Sequence, residues 1–384
     1  MGAVILLVVG VATLFVRPRR VPLWAGPSAC AILALATTIV PWHDVSYSVR
    51  LLRDPLLFLA FAVPLAVLLD RIGVFAALAA LVDGGRHLVA WLWVLAAAVT
   101  VVFNLDAAVV LLTPLYIRIA RRHGLSAEML AFQPALLACL ASSPLPVSNL
   151  TNLIVAERFD LGLGDFVRHL SLPTVLAVVV GWVGFRWAFH LHAESDGVDE
   201  PVDGQALRRG LPVVLFVLVG FTAGELIGVP AWVVAATATL WCVGVARAVP
   251  WRALPFEAAL VAVSLTVLVA GAVPHLGLSS VLSGNGEGVR AVLFGVIASN
   301  AANNLPAVLA GSASLASPDQ VWPLLLGVNM GPVMVLTGAL SGLLWRDTAR
   351  TLGVEVSMRR YSSVGVRVGL PALIAAAASV LLLG

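Results

Sequence analysis

The sequence predicts an all-α polytopic membrane protein made of two inverted repeats, each of about five transmembrane helices with one re-entrant hairpin and one broken helix. Three observations carry this. Apolar segments recur along the whole chain at about the 17–25 residues needed to cross a bilayer. Hydrophobic residues make up 60% of the chain and charged residues 11%, with a mean hydropathy of +1.02. A soluble domain is about one quarter charged, so that class is excluded. Third, interruptions inside the apolar runs of the first half return in the second.

The first apolar segment, from Ala3 to Val16, is followed by Arg17, Arg19 and Arg20 and by no small-residue cleavage site, so it reads as a spanning helix rather than a signal peptide. Helices follow at about 23–40 and 55–70, bounded by charge or by Pro and Trp at the interface. Val74 to Leu81 is too short to span. The stretch of about 88–120 is apolar except at Asn104-Leu105-Asp106 and has arginines at both ends, which puts both ends on one side and makes it a hairpin with its tip at mid-membrane. Non-helical backbone at that depth must be buried in protein or line a wet cavity. A broken helix occupies about 129–155, unwinding at SSPLPVSNLTN, residues 142–152. Its prolines remove backbone donors and leave carbonyls unpaired. A helix at about 172–188 closes a first repeat of residues 1–190.

Residues 191–209 are polar, acidic and without periodicity, and read as a solvated cytoplasmic linker. In the second repeat, 210–384, helices are expected at about 211–227, 230–246 and 257–275, a hairpin at about 289–313 and a broken helix at about 321–345. Asn300, Asn303, Asn304 and Pro306 fall where Asn104, Asp106, Thr113 and Pro114 fall in the first. Asn329 and Pro332 interrupt the second broken helix, and each half closes on a similar phrase, Arg168 to Pro173 and Arg367 to Pro371. Paired broken helices in corresponding places point to a transporter's binding site.

Charge bias orients the chain. With both termini external, arginines 50, 53, 158, 168 and 290 lie outside, and the other eighteen of the 23 basic residues lie in the cytoplasm, as the positive-inside rule requires. Five crossings per half is an odd number, so the repeats are inverted. The net charge of +3 comes from these orienting arginines and does not indicate a nucleic-acid partner.

The candidate site residues are the polar ones at the interruptions: Asn104, Asp106, Thr113, Ser148, Asn149, Thr151, Asn152, Asn300, Asn303, Asn304 and Asn329. An ionisable group at membrane depth costs several kcal/mol and marks a functional site by default. Asp106 is the natural proton-coupling residue; the alternative is that it only accepts hydrogen bonds from hairpin amides. The amides and hydroxyls either line a site or only satisfy the broken backbone. Asp70-Arg71 reads as a pair at a helix end, Glu157-Arg158 as a cap after the broken helix, Glu225 as interfacial, and His43, His169 and His275 as surface residues. Cys30, Cys139 and Cys242 stand singly in apolar runs, with neither redox nor metal-ligand spacing, and no cofactor or metal is expected. An intramembrane enzyme would need an acidic dyad or a Ser-His pair at one depth, and Asp106 faces only asparagines at the corresponding place.

The phrases NLDAAVVLLTP, PVSNLTNLIVAERFDLG, NNLPAVL and GVNMGPVMVLTGALSGLLW resemble the ArsB-type arsenite/antimonite efflux permeases, in the ion-transporter superfamily that includes the dicarboxylate carriers. The resemblance covers nearly the whole chain. The family's Asn-Asp-Gly hairpin tip is replaced by Leu105-Asp106-Ala107 with the asparagine at Asn104, and its acidic residue by Asn329. The resemblance implies export of arsenite and antimonite as neutral trivalent hydroxides across the plasma membrane, driven by protons or aided by a soluble ATPase subunit. It also implies elevator-type movement of hairpins and broken helices, with the early helices of each half as scaffold and homodimer surface. Sodium would also suit these amides and freed carbonyls, so a sodium-coupled carboxylate carrier or a sodium/proton antiporter is the alternative. The former would want an arginine at a hairpin tip, and neither tip has one.

Overall fold

The computed structural model describes residues 1–16, 21–41, 43, 46, 50, 52–82, 84–85, 87–103, 105–189, 203–226, 228–315 and 317–383. Among these, every regular element is a helix. In chain order they are α1 (Gly2–Phe15), α2 (Ala25–Ala36), α3 (Arg53–Ile72), α4 (Val74–Ala80), α5 (Leu88–Phe103), α6 (Leu105–Arg122), α7 (Ala127–Leu140), α8 (Leu150–Phe159) and α9 (Leu163–Ala188). There follow α10 (Gly204–Leu226), α11 (Ala231–Ala246), α12 (Phe256–Ala272), α13 (Leu278–Leu282), α14 (Glu287–Ala302), α15 (Asn304–Ser312), α16 (Val321–Met330), α17 (Leu340–Thr351) and α18 (Met358–Leu383). Leu163–Ala188 and Met358–Leu382 are long and apolar enough to cross a bilayer unbroken. The pair Leu56–Ile72 and Val74–Ala80 is bent by 61° at Gly73, whose φ of +89° a side chain would disfavour. Several of the remaining helices are apolar and only 10–17 residues long.

Burial separates two kinds of helix. Every residue of α7 from Met129 to Leu140 and every residue of α16 is buried. Such all-round apolar helices cannot sit at a surface, and α7 and α16 form the centre. By contrast Val8, Trp91, Val175, Val183, Trp187, Leu240, Ile297 and Ile374 are exposed, in the pattern of a lipid-facing belt. Close approach at the centre rests on glycine: α14 crosses α16 where a Cβ on Gly327 would stand 2.3 Å from the Val292 carbonyl oxygen, and one on Gly295 2.8 Å from that of Leu324.

Partners are exchanged between the two halves. α3 packs on α10 and α11, while α12 packs on α1 and α2. α17 packs on α6, and α8 packs on α15, so each of these helices lies against one from the other half of the chain. The most extensive pairing joins the two closing helices, α9 and α18.

Several boundaries differ from the sequence expectation. The first unwound stretch spans 141–149, so Thr151 and Asn152 lie in the first turn of α8. The second lies at 331–339, leaving Asn329 on the last turn of α16, and the helix beyond it runs to Thr351 instead of about 345. α9 begins at Leu163 instead of about 172, because Pro173 is accommodated inside it. The expected linker is shorter at its end: α10 starts at Gly204, where Asp203 accepts from the amides of Gln205 and Ala206. Pro306 is the third residue of α15, where a helix lacks partners for its amides anyway, whereas Pro114 lies deep in α6, so the two prolines do not correspond. Asp70 pairs with Arg118 of α6 at 3.0 Å instead of with its neighbour Arg71, because α6 brings the Arg118 guanidinium against it, donating from both Nε and a terminal nitrogen.

Candidate functional site

The first break begins where α7 runs out of backbone partners. A helix C-terminus leaves carbonyls unpaired, and a buried one must be satisfied by side chains. Asn152 does this: its Nδ2 donates to the carbonyls of Ser142 at 2.9 Å and Leu145 at 2.8 Å. Asn149 caps α8 by accepting from the Thr151 amide at 3.1 Å, and its Nδ2 donates to Ser142 Oγ at 3.2 Å. Ser148 closes the turn locally, donating to the Leu145 carbonyl at 2.7 Å.

Into this stretch comes Asn329 from α16. Its Oδ1 accepts from Thr151 Oγ1 at 2.5 Å and Asn149 Nδ2 at 3.2 Å, and its Nδ2 donates to Asn152 Oδ1 at 2.7 Å and Ser143 Oγ at 3.3 Å. Both lone pairs and both protons of one amide are therefore used. All these side chains are buried. The cluster consists of neutral groups that donate and accept, with no arginine among them.

The second break is tied differently. Asn300 Nδ2 donates to the carbonyls of Val296 at 2.8 Å and Gly331 at 2.9 Å. Asn303 stands between α14 and α15 with φ +82° and ψ 152°, a region that asparagine seldom visits. Its Oδ1 accepts from the Leu305 amide at 3.3 Å, capping α15, and its Nδ2 donates to the Thr337 carbonyl at 3.2 Å. The Asn304 amide donates to the Gly338 carbonyl at 2.8 Å. The second hairpin thus holds its own half's break through backbone carbonyls. Three polar atoms there, Asn300 Oδ1, Thr337 Oγ1 and Ser341 Oγ, are buried without a hydrogen-bond partner in the protein.

Of the residues expected from sequence, Asn149, Thr151, Asn152 and Asn329 form one network, and Asn300, Asn303 and the backbone N–H of Asn304 bond separately to carbonyls of the second break. Asp106 lies in the first turn of α6, where a carboxylate favours the helix dipole, and Thr113 is buried seven residues along the same helix. Asn104 lies outside the described residues. Ser142, Ser143, Thr337 and Ser341 were not singled out from sequence; their signal was their place beside a Pro or Gly inside an apolar run. His169 stacks on Trp322 with ring centroids 4.4 Å apart, and Glu225 has no described side chain. The three cysteines are buried and free, and no group of three His, Cys, Asp or Glu residues suited to a metal ion occurs among the described residues.

Comparison with known proteins adds two results. Residues 1–331 match the family described as citrate transporter. The chain is 27% identical to the arsenical pump membrane protein of Yersinia enterocolitica over 403 residues, covering 93% of this chain and 92% of that protein. Against the arsenical pump membrane protein of Escherichia coli K12 it is 27% identical over 400 residues, with the same two coverages of 93% and 92%. An uncharacterized transporter of Mycobacterium tuberculosis is 25% identical over 293 residues, which is 67% of this chain and 68% of that protein.

Proposed function

The chain belongs to the citrate transporter family, and from that premise we propose that it is a proton-coupled secondary transporter exporting arsenite and antimonite as neutral trivalent hydroxides. The observation that carries the reading is the Asn329 network: amides and hydroxyls that both donate and accept, free of cationic side chains. Arsenious acid carries three hydroxyls of the same dual character, so it replaces amide–hydroxyl bonds one for one as it enters. Citrate, a multiply charged anion, calls for cationic side chains beside the helix amino termini that α8 and α15 offer, and the network holds no arginine. Relatives named arsenical pump membrane proteins over 93% of the chain support the same substrate.

In this reading Asn104, Asp106, Thr113, Ser148, Asn149, Thr151, Asn152, Asn300, Asn303, Asn304 and Asn329 surround the substrate path, and Asp106 alternates between acid and carboxylate to couple it to protons. The two halves are inverted repeats, which the exchanged packing of α17 on α6 and α8 on α15 supports. Hairpins and broken helices travel together against a scaffold of the early helices, which also offers the homodimer surface. The protein sits in the plasma membrane with both termini external, and a soluble ATPase subunit would dock on the cytoplasmic arginines. The family's description favours a second reading, a carboxylate carrier, coupled to sodium.

The test is efflux from cells lacking their own exporter. Intact protein lowers internal arsenite, and both Asp106→Asn and collapse of the proton gradient abolish this, by about tenfold or more. Accumulation equal to the empty vector, with sodium-dependent citrate uptake in its place, overturns the reading.

A further inference from the structure

Buried hydroxyls in this protein's helices commonly bond back to the carbonyl of the preceding turn: Thr174 to Leu170 at 2.7 Å, Thr239 to Ala235 at 2.8 Å, Ser264 to Leu260 at 2.6 Å and Ser379 to Ala376 at 2.7 Å. Thr113, Ser341 and Thr348, 0%, 2% and 4% exposed, do not, and neither does Thr337 at 2%. Thr113 lies on α6, Ser341 and Thr348 on α17, Thr337 just before α17, and α6 and α17 pack together.

The spacing puts these groups along one seam. Ser341, Thr348 and Leu352 follow at i, i+7 and i+11, a single stripe, and Arg121 near the end of α6 donates to the Leu352 carbonyl, which registers the ends of the two packed helices against each other. Asp106 and Thr113 are likewise seven apart. Both helices run from a break toward arginines: Arg118, Arg121 and Arg122 on one, Arg346 and Arg350 on the other. Aligning Arg121 with Leu352 sets Asp106 three residues' rise before the start of α17 at Leu340, while Thr337 lies in the unwound stretch and has no place on this scale. Ser341, Thr113 and Thr348 then follow at about 6, 10.5 and 16.5 Å at 1.5 Å per residue. Successive axial gaps of about 4.5–6 Å are within the span of one bridging water.

We propose that the seam between α6 and α17 is a proton exit path, in which Ser341, Thr113 and Thr348 relay the Asp106 proton through single waters to the arginine-rich face. It rests on the coupling role of Asp106 given above. The Asp106 acid gives its proton to the nearest water and becomes carboxylate. Each hydroxyl accepts one proton and donates its own onward, so it ends unchanged, and one hydronium leaves at the far end. The titratable and charged groups around the path are the buried Cys139 of α7, Asp70 paired with Arg118 at 3.0 Å, and Asp347 and Glu257 paired with Arg346 at 2.9 and 3.4 Å. The exit therefore carries carboxylates beside its arginines.

The test follows Asp106 directly, by the infrared carboxyl band that Asp106→Asn removes, after a pH jump on the whole protein. Thr348→Val slows its titration about tenfold, and Thr348→Ser restores it. Arsenite exchange between vesicle and medium at equal pH, which needs no net proton release, stays within about twofold of wild type. Titration at the wild-type rate in Thr348→Val, or in Thr348→Ala should Thr348→Val not fold, overturns the path and leaves the coupling role of Asp106 intact. Exchange and titration falling together overturns it too, by assigning the hydroxyls to fold or substrate. A wild-type Asp106 band that does not respond to pH overturns the coupling reading and the path with it.

Discussion

The two unwound stretches solve one problem in opposite ways. At 141–149 the break is saturated by side chains, and its decisive partner, Asn329, comes from the other half of the chain, 177 to 186 residues away. At 331–339 the break is held by backbone carbonyls that accept from the asparagines of its own hairpin, and hydroxyls nearby are left without protein partners. The first is a clasp between halves. The second is a self-contained module with hydrogen-bonding capacity to spare. Deleting one member of a bonded buried pair strands the other, whereas deleting a group without a partner strands nothing, so deletions at the two breaks should differ sharply.

The largest effect is expected at Asn329. Asn329→Leu strands Thr151, Asn149, Asn152 and Ser143 together, and should cost about 3–4 kcal/mol, the range for breaking a buried network. Thermal unfolding in detergent checks this; a midpoint equal to wild type would show that the halves are held by packing alone. Thr151→Val removes one bond of the same network and should cost about 1–2 kcal/mol. Asn303→Ala loses the α15 cap while keeping a backbone that alanine tolerates poorly, about 1–2 kcal/mol, whereas Asn303→Gly relieves the φ of +82° and should fall nearer wild type. The smallest effect belongs to Thr337→Val, which deletes a hydroxyl with no protein partner and should stay within about 0.5 kcal/mol of wild type or stabilise. Equal losses for Thr151→Val and Thr337→Val would erase the contrast between the breaks.

Much of this was legible from residue type. Prolines and asparagines inside apolar runs located both unwound stretches and the interruption between α14 and α15, because lipid leaves so few ways to interrupt a helix. The helix ends were less legible, since a proline such as Pro173 can be carried inside a helix. What sequence could not supply was pairing at a distance. No local pattern tells Asn329 to cross to the other half, or Asp70 to prefer Arg118 over Arg71. Ser142 and Ser143 were overlooked because their importance comes only from the amide that reaches them.

The clasp also sets an order of events during synthesis. Asn152 is made 177 residues before the Asn329 amide that donates to it. At about 5–20 residues per second, roughly ten to thirty-five seconds pass in between. Through that interval the nascent first half holds polar side chains in or beside the bilayer with their final partner not yet made. A chain that stops short of α16 is left permanently in that condition, and membrane quality control can read the stranded amides as the mark of an unfinished protein.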